Sequence, residues 1–236
     1  MDLNGIRSLP TSNVIDLNDV SEYEFTVEEI SLLLSKVKRF SGWGTDVANH
    51  SLYVAKFLYL LTGNPHIALL GLLHDAHEAY IGDIATPVKH LLGKPVKSLE
   101  HNLQRAILWR LDAVDELSFG SEPLIKLVDL IAMREELDAM VSDRGYKIDD
   151  KGVWTEALHT VEPFSVGVMP RFSLYGDSQI DFIRYYDYLV SQCKHTDNEY
   201  KTEEVEILGV KTKLMVFNTC IFHSFLKGEK QHESSI

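Results

Sequence analysis

Four residues able to bind protons or metals stand inside apolar runs: His50 in "VANHSLYVA", His74 and Asp75 in "LLGLLHDA", and Asp129 in "IKLVDLIA". Runs with helical spacing face a core, and a buried imidazole or carboxylate is costly unless something pairs with it. A lone histidine in such a stripe is most often a satisfied core residue. Four such residues on three separate stripes point elsewhere. Two neutral imidazoles and two carboxylates make a mixed nitrogen and oxygen ligand set for a divalent transition metal such as Zn, Co, Mn or Fe. The set contains no thiolate, which argues against a closed structural zinc site. Four ligands on an octahedral ion leave two positions for water and substrate, as hydrolysis requires.

Glu78 stands four residues after His74 and three after Asp75, one turn further along the same face of a continuous helix. There it lies beside the ion rather than on it, where a general acid or base can act on water. The competing reading is a solvated last-turn carboxylate. Asp83 follows Gly82 and either N-caps the next turn or contacts a substrate hydroxyl.

Helices must carry these residues. "TVEEISLLLSKVKRF" opens with a capping-box pattern, Thr26 to Glu29, and "SGWG" breaks it. "TDVANHSLYVAKFLYLLTG" is a second helix, capped by Thr45 or Asp46 and ended by Gly63. "PHIALLGLLHDAHEAYIG" reads as one continuous third helix, with Pro65 in its first turn and Gly82 at its end. "PVKSLEHNLQRAILWRLD" is a fourth, and "SEPLIKLVDLIAMREELDAMVSDRG" a long fifth that Gly145 terminates. Residues 146–175 mix turns and short extended pieces, and "DSQIDFIRYYDYLVSQC" is a sixth helix. "KHTDNEYKTEEVE" reads as a polar linker, and "ILGVKTKLMVFNTCIFHSFLKG" fits a strand or hairpin. The expectation is an all-α bundle over 25–195, an irregular arm over 1–24, and a short C-terminal extension over 196–236 with β character.

The totals agree with a small-molecule enzyme. The chain has 236 residues, enough for one domain with an appendage, and 45% of them are hydrophobic. The net charge of -12 argues against polymeric nucleic acid as a partner. It leaves room for a small phosphorylated ligand, because distant charges are screened over roughly 10 Å. No apolar run reaches the length of a membrane helix. The N-terminus lacks a basic region and an apolar core, so no signal peptide is expected. Cys193 and Cys220 are the only cysteines, which suits a reducing cytoplasm.

The pattern His…His-Asp…Asp on three helices, with an acidic residue three after the His-Asp pair, resembles the HD-domain metal-dependent phosphohydrolase superfamily. "RF…VANHSLYVA", "LLHDAHEAYIGDIATPVK" and "KLVDLIAMREELDAM" look like the branch that holds bacterial 5'-deoxynucleotidases and phage dATP triphosphohydrolases. The resemblance runs from about Phe25 to Val190. It implies an HD-domain helical bundle acting as a hydrolase of phosphoric ester bonds. Its metal ligands would be His50, His74, Asp75 and Asp129, and its catalytic acid Glu78. Arg39 falls where the family has a phosphate-contacting arginine, and Asp83 and Thr86 match residues near the sugar. Phe40 follows that arginine, with Trp43 close by; these stack on or wall the base, or else belong to the core. Lys89, Lys94 and Lys97 form the densest basic patch nearby and meet outer phosphates, with Mg on them, or else form a solvated face.

Two departures stand out. The spacer from Arg39 to His50 is short beside the phage relatives, and His77 sits where a small or neutral residue is usual. His77 reads as an exposed helix residue or as a partner that tunes Glu78. The implied reaction is dATP to deoxyadenosine plus triphosphate. The alternatives are a 5'-deoxynucleotidase on monophosphates and a catalytically silent nucleotide-binding module. The resemblance further implies a homo-oligomer in the cytoplasm (of the host, for a phage protein), with a deoxynucleotide as substrate.

Overall fold

The computed structural model describes residues 5–113, 120–142, 177–195, 200–207 and 210–217. The element order is β1 (Ile6–Ser8), β2 (Val14–Asp16), α1 (Val27–Leu34), α2 (Arg39–Gly42), α3 (Val47–Thr62), α4 (Pro65–Leu73), α5 (Glu78–Ile81), α6 (Thr86–Leu92), α7 (Lys94–Arg110), α8 (Glu122–Ser142), α9 (Ser178–His195), β3 (Tyr200–Ile207) and β4 (Val210–Phe217). The fold is all-α, with one small antiparallel hairpin near each end of the described chain. Among the described residues no helix is long and apolar enough to cross a membrane. The expected Gly145 terminator and the irregular stretch 146–175 lie outside the described residues.

The caps work as their residue types dictate. Thr26 accepts from the Glu29 amide at the start of α1. Asp46, rather than Thr45, accepts from the Asn49 amide and starts α3, which Gly63 ends in the left-handed conformation. Asn64 caps α4 through the amides of His66 and Ile67, with Pro65 at its first position.

Two apolar seams hold the helices. Tyr53, Phe57 and Leu58 of α3 pack on Ile67 of α4 and on Leu124, Val128 and Ile131 of α8. On the other side, Ile30 and Leu34 of α1 pack with Leu69 and Leu72 of α4, Leu103 and Ile107 of α7, and Phe182 of α9. Helices α3 and α4 approach closely because position 71 is glycine: a Cβ there would stand 2.2 Å from Leu58 Cδ1 and 3.5 Å from Ala55 Cα. With the helices so close, the first turn of α3 lies beside the C-terminal end of α4, and the rings of His50 and His74 stand 5.3 Å apart between centroids.

Three expectations need correction. The arm is not irregular throughout: over 5–24, β1 and β2 pair, and Leu9 and Ile15 enter the core. Glu29 secures this hairpin, accepting from Thr11, Asn13, Tyr23 and Tyr80 at 2.6, 2.7, 2.7 and 3.1 Å. Strands of three residues are too short to show alternation. The polar "KHTDNEYKTEEVE" is not a linker throughout, because β3 begins at Tyr200 and pairs with β4 from Tyr200↔Phe217 to Ile207↔Val210. The β character of the C-terminal extension is present as expected.

The third correction bears on the site. The expected continuous third helix stops at Leu73 and resumes only at Glu78. In a continuous helix the Leu73 carbonyl would take the His77 amide. Gln104 of α7 inserts there: its Nε2 donates to Leu73 O at 2.7 Å, and its Oε1 accepts the His77 amide at 3.2 Å. Between the two helices the bonds tighten to three-residue spacing, as in Glu78 N to Asp75 O at 3.0 Å.

Candidate metal centre

His50 lies in the first turn of α3 and is fully buried. His74 caps the C-terminal end of α4, Asp75 opens the tightened turn, and Asp129 comes from the facing stripe of α8. One ligand atom from each of the four lies within 4.8 Å of every other. His50 Nε2 stands 3.1 Å from Asp129 Oδ1 and 4.0 Å from Asp75 Oδ2. His74 Nε2 stands 3.1 Å from Asp75 Oδ2 and 3.9 Å from Asp129 Oδ1.

The donor set fits a cation. His74 Nδ1 donates to Gly71 O at 2.8 Å, which puts the proton on that nitrogen and leaves Nε2 a lone pair. His74 Nε2 is buried without a hydrogen-bond partner. A lone pair and two carboxylate oxygens thus converge on one point. These four residues form a group that can hold a divalent metal ion.

The electrostatics of the group reflect its crowding. Burial opposes ionisation of Asp75, yet the charge of His74 beside it holds it well below the ordinary carboxylate value. Burial likewise opposes Asp129, and His50 keeps it low. His74 is raised: burial disfavours its cation, but Asp75 and Asp129 outweigh burial. His50 is lowered by burial and by Arg39.

Glu78 differs. It is buried, and burial with the charges of Asp75 and Asp83 pushes it up to about 10. Its Oε2 has no hydrogen-bond partner, and Lys89 Nζ stands 3.9 Å from its Oε1. The broken helix still places Glu78 beside Asp75, with ligand atoms within 4.8 Å. It is not the solvated carboxylate of the competing reading.

The remaining expected residues divide. Arg39 is buried, its Nη1 3.6 Å from Asp75 Oδ2. Phe40 is half-buried at φ 51°, its ring beneath the Arg39 guanidinium, and its amide donates to Asp83 Oδ2 at 3.2 Å. Asp83 therefore does not cap the next helix; α6 starts after Ala85 with no side-chain cap. Trp43 is 63% exposed, so it is not core. Thr86 is exposed at the first turn of α6. Of the three lysines, Lys89 turns toward the site and pairs with Glu100 at 2.7 Å, while Lys94 and Lys97 lie exposed on α7. His77 is buried rather than exposed, its Nδ1 3.0 Å from Gln104 Oε1.

Sequence reasoning missed Glu136 and Gln104. Glu136 is seven residues after Asp129, nearly in line with it on the same face of α8. That spacing was a usable signal, hidden in the charged run "REELD". Gln104 gave none, because a glutamine on an amphipathic helix reads as surface.

No family model matches the chain. An uncharacterized protein of Rhodobacter capsulatus is 33% identical over 133 residues, 52% of this chain and 67% of that protein. The uncharacterized protein YfdR of Escherichia coli K12 is 27% identical over 166 residues, 66% of this chain and 82% of YfdR.

Proposed function

The chain belongs to the same family as the uncharacterized Rhodobacter capsulatus protein, and we propose that it is an HD-domain phosphohydrolase, a metal-dependent hydrolase of deoxynucleotides. The observation that carries this reading is the convergence of His50, His74, Asp75 and Asp129, with the buried Glu78 at its edge and Arg39 facing Asp75. The first substrate is a deoxynucleoside triphosphate, dATP by resemblance, split into deoxynucleoside and triphosphate. The ion is Zn, Co, Mn or Fe, with Mg carried on the substrate's phosphates.

When bound, a divalent ion acts as a Lewis acid on a phosphoryl oxygen and makes water more acidic. The chain's residues supply the rest. Gly71 O fixes the His74 ring so that Nε2 stays a ligand. Water attacks the α-phosphorus and the bond to the sugar 5'-oxygen breaks; Glu78 gives its proton to that oxygen and takes up in its place the proton released by the water. A carboxyl group held neutral by burial is suited to donate that proton. Arg39 offsets charge that develops on the phosphoryl oxygens. Phe40 and Trp43 offer aromatic faces to the base, and Asp83 and Thr86 line the approach of the sugar.

One observation favours monophosphates as the alternative. Lys89 is committed to Glu100, Lys94 and Lys97 lie on an exposed helix face, and the exposed Lys126 is paired with Asp129 Oδ2 at 2.6 Å, so among the described residues Arg39 is the buried cation at the cluster. A single arginine matches one phosphate better than three.

The test is a panel of deoxynucleoside mono- and triphosphates with Mn²⁺, Co²⁺ or Mg²⁺, products separated by chromatography. Tripolyphosphate supports the triphosphohydrolase, and orthophosphate from monophosphates alone supports the 5'-deoxynucleotidase. Tight nucleotide binding with no product under any metal supports a silent binding module and ends the enzyme reading.

A further inference from the structure

Glu136 is 2% exposed, deeper than any other carboxylate of the site, with Glu78 next at 3%. Its two oxygens serve different neighbours. Oε1 accepts from the Thr45 amide at 2.7 Å and from Thr45 Oγ1 at 2.6 Å. Oε2 accepts from Arg39 Nε at 3.0 Å and faces His50 Nδ1 at 3.9 Å.

These contacts clamp both ends of one short turn. Arg39 and Thr45 are paired through the Arg39 amide and Thr45 O at 3.0 Å. Between them Phe40 and Ser41 take φ of 51° and 55°, the left-handed region that side chains disfavour. The turn presses onto the carboxylate: a Cβ on Gly44 would stand 2.7 Å from Glu136 Oε1 and 2.6 Å from Phe40 Cδ2. A strained conformation persists when its surroundings over-determine it.

The consequence falls on Arg39. A long side chain loses its order easily, and a guanidinium has five donors that need acceptors. Glu136 takes Nε and thereby aims Nη1 at Asp75, the edge of the metal group. We infer that Glu136 is the positioning residue for Arg39: it fixes the guanidinium and folds the turn that carries it, so that the arginine meets the substrate phosphate. The inference rests on Arg39 as the phosphate contact of the proposed function.

Glu136→Gln separates this role from a merely structural one. A glutamine oxygen still accepts both Thr45 donors, but its NH₂ confronts Arg39 Nε, donor against donor. Thr45→Val does the reverse. Nitrogen-15 NMR of the arginine Nε–H groups reads the clamp without any ligand. The wild type should show a protected Nε–H signal, assigned by its loss in Arg39→Lys. That signal should vanish in Glu136→Gln and survive in Thr45→Val. Its survival in Glu136→Gln overturns the inference.

Calorimetry on the Mn²⁺-loaded protein, titrated with tripolyphosphate and with dAMP, reads the purpose. Glu136→Gln should weaken anion binding about tenfold while Mn²⁺ affinity moves less than about threefold. On an Arg39→Ala background, Glu136→Gln should change anion affinity by less than about twofold, because the partner it acts through is gone. Additive effects overturn the inference. If the wild type binds neither anion, the proposed function fails, and the NMR signal alone decides whether Glu136 holds Arg39.

Discussion

Replacing Glu78 by glutamine should make the metal-free protein more stable at alkaline pH. The folded value, about 10, lies above the ordinary 4.5. Between those two values the native state keeps a proton that the unfolded chain releases. Stability therefore falls as pH rises, by up to about 1.4 kcal/mol per pH unit. Glu78 is 3% exposed, so solvent screening removes little of this. For a chain of this size that slope is about 3–6 °C in Tm per pH unit. Glutamine has the shape of the neutral acid and cannot ionise. The two proteins should melt together at about pH 4.5 and below, and the gap should widen by up to about 3 kcal/mol between pH 6 and pH 8.5, the variant being the more stable. His74, also raised, loses its contribution in the same direction in both proteins, so the difference between them isolates Glu78. The assay is a pair of melting series in chelator across that range. Parallel curves would refute the placement of Glu78 as a carboxylate buried beside Asp75 and Asp83.

Other perturbations test separate parts of the account. Mn²⁺ at about one hundred times its Kd should stabilise the wild type by about 2.7 kcal/mol, and Asp129→Ala should abolish that gain in melts with and without chelator. Gly71→Ala should cost about 1–3 kcal/mol in urea titrations, because its Cβ collides with Leu58 and pushes α4 from α3. Glu29→Gln should cost roughly 2 kcal/mol, since four hydrogen bonds to a carboxylate weaken together. Burial opposes ionisation of Glu29, but those bonds hold its value below the ordinary one. Its contribution is thus present above about pH 4.5 and lost as pH falls, so the variant should show a shallower acid loss.

Much of the site was legible because burying ionisable groups leaves a pattern. His50, His74, Asp75 and Asp129 each interrupt an apolar stripe, and each lies where its stripe faces its neighbours. Caps were legible for the same local reason: Thr26, Asp46 and Gly63 act through their own backbone neighbours. What escaped was set from afar. Glu29 looked like the second half of a capping box, but its side chain turns to Thr11, Asn13, Tyr23 and Tyr80. The break after Leu73 comes from Gln104, thirty-one positions later, and local propensity gives no sign of it. His77 looked exposed on a continuous helix; the same Gln104 turns it inward. Glu136 reaches Arg39 across ninety-seven positions, a pairing that no local spacing encodes.

The division of labour between ligands and acid is the central claim, and Glu78→Ala tests it most directly. Metal content by mass spectrometry and turnover on the deoxynucleotide panel would be measured on one preparation. The account predicts one divalent ion per chain, as in the wild type, with turnover lost. Undiminished turnover, or loss of the ion with the glutamate, would contradict it.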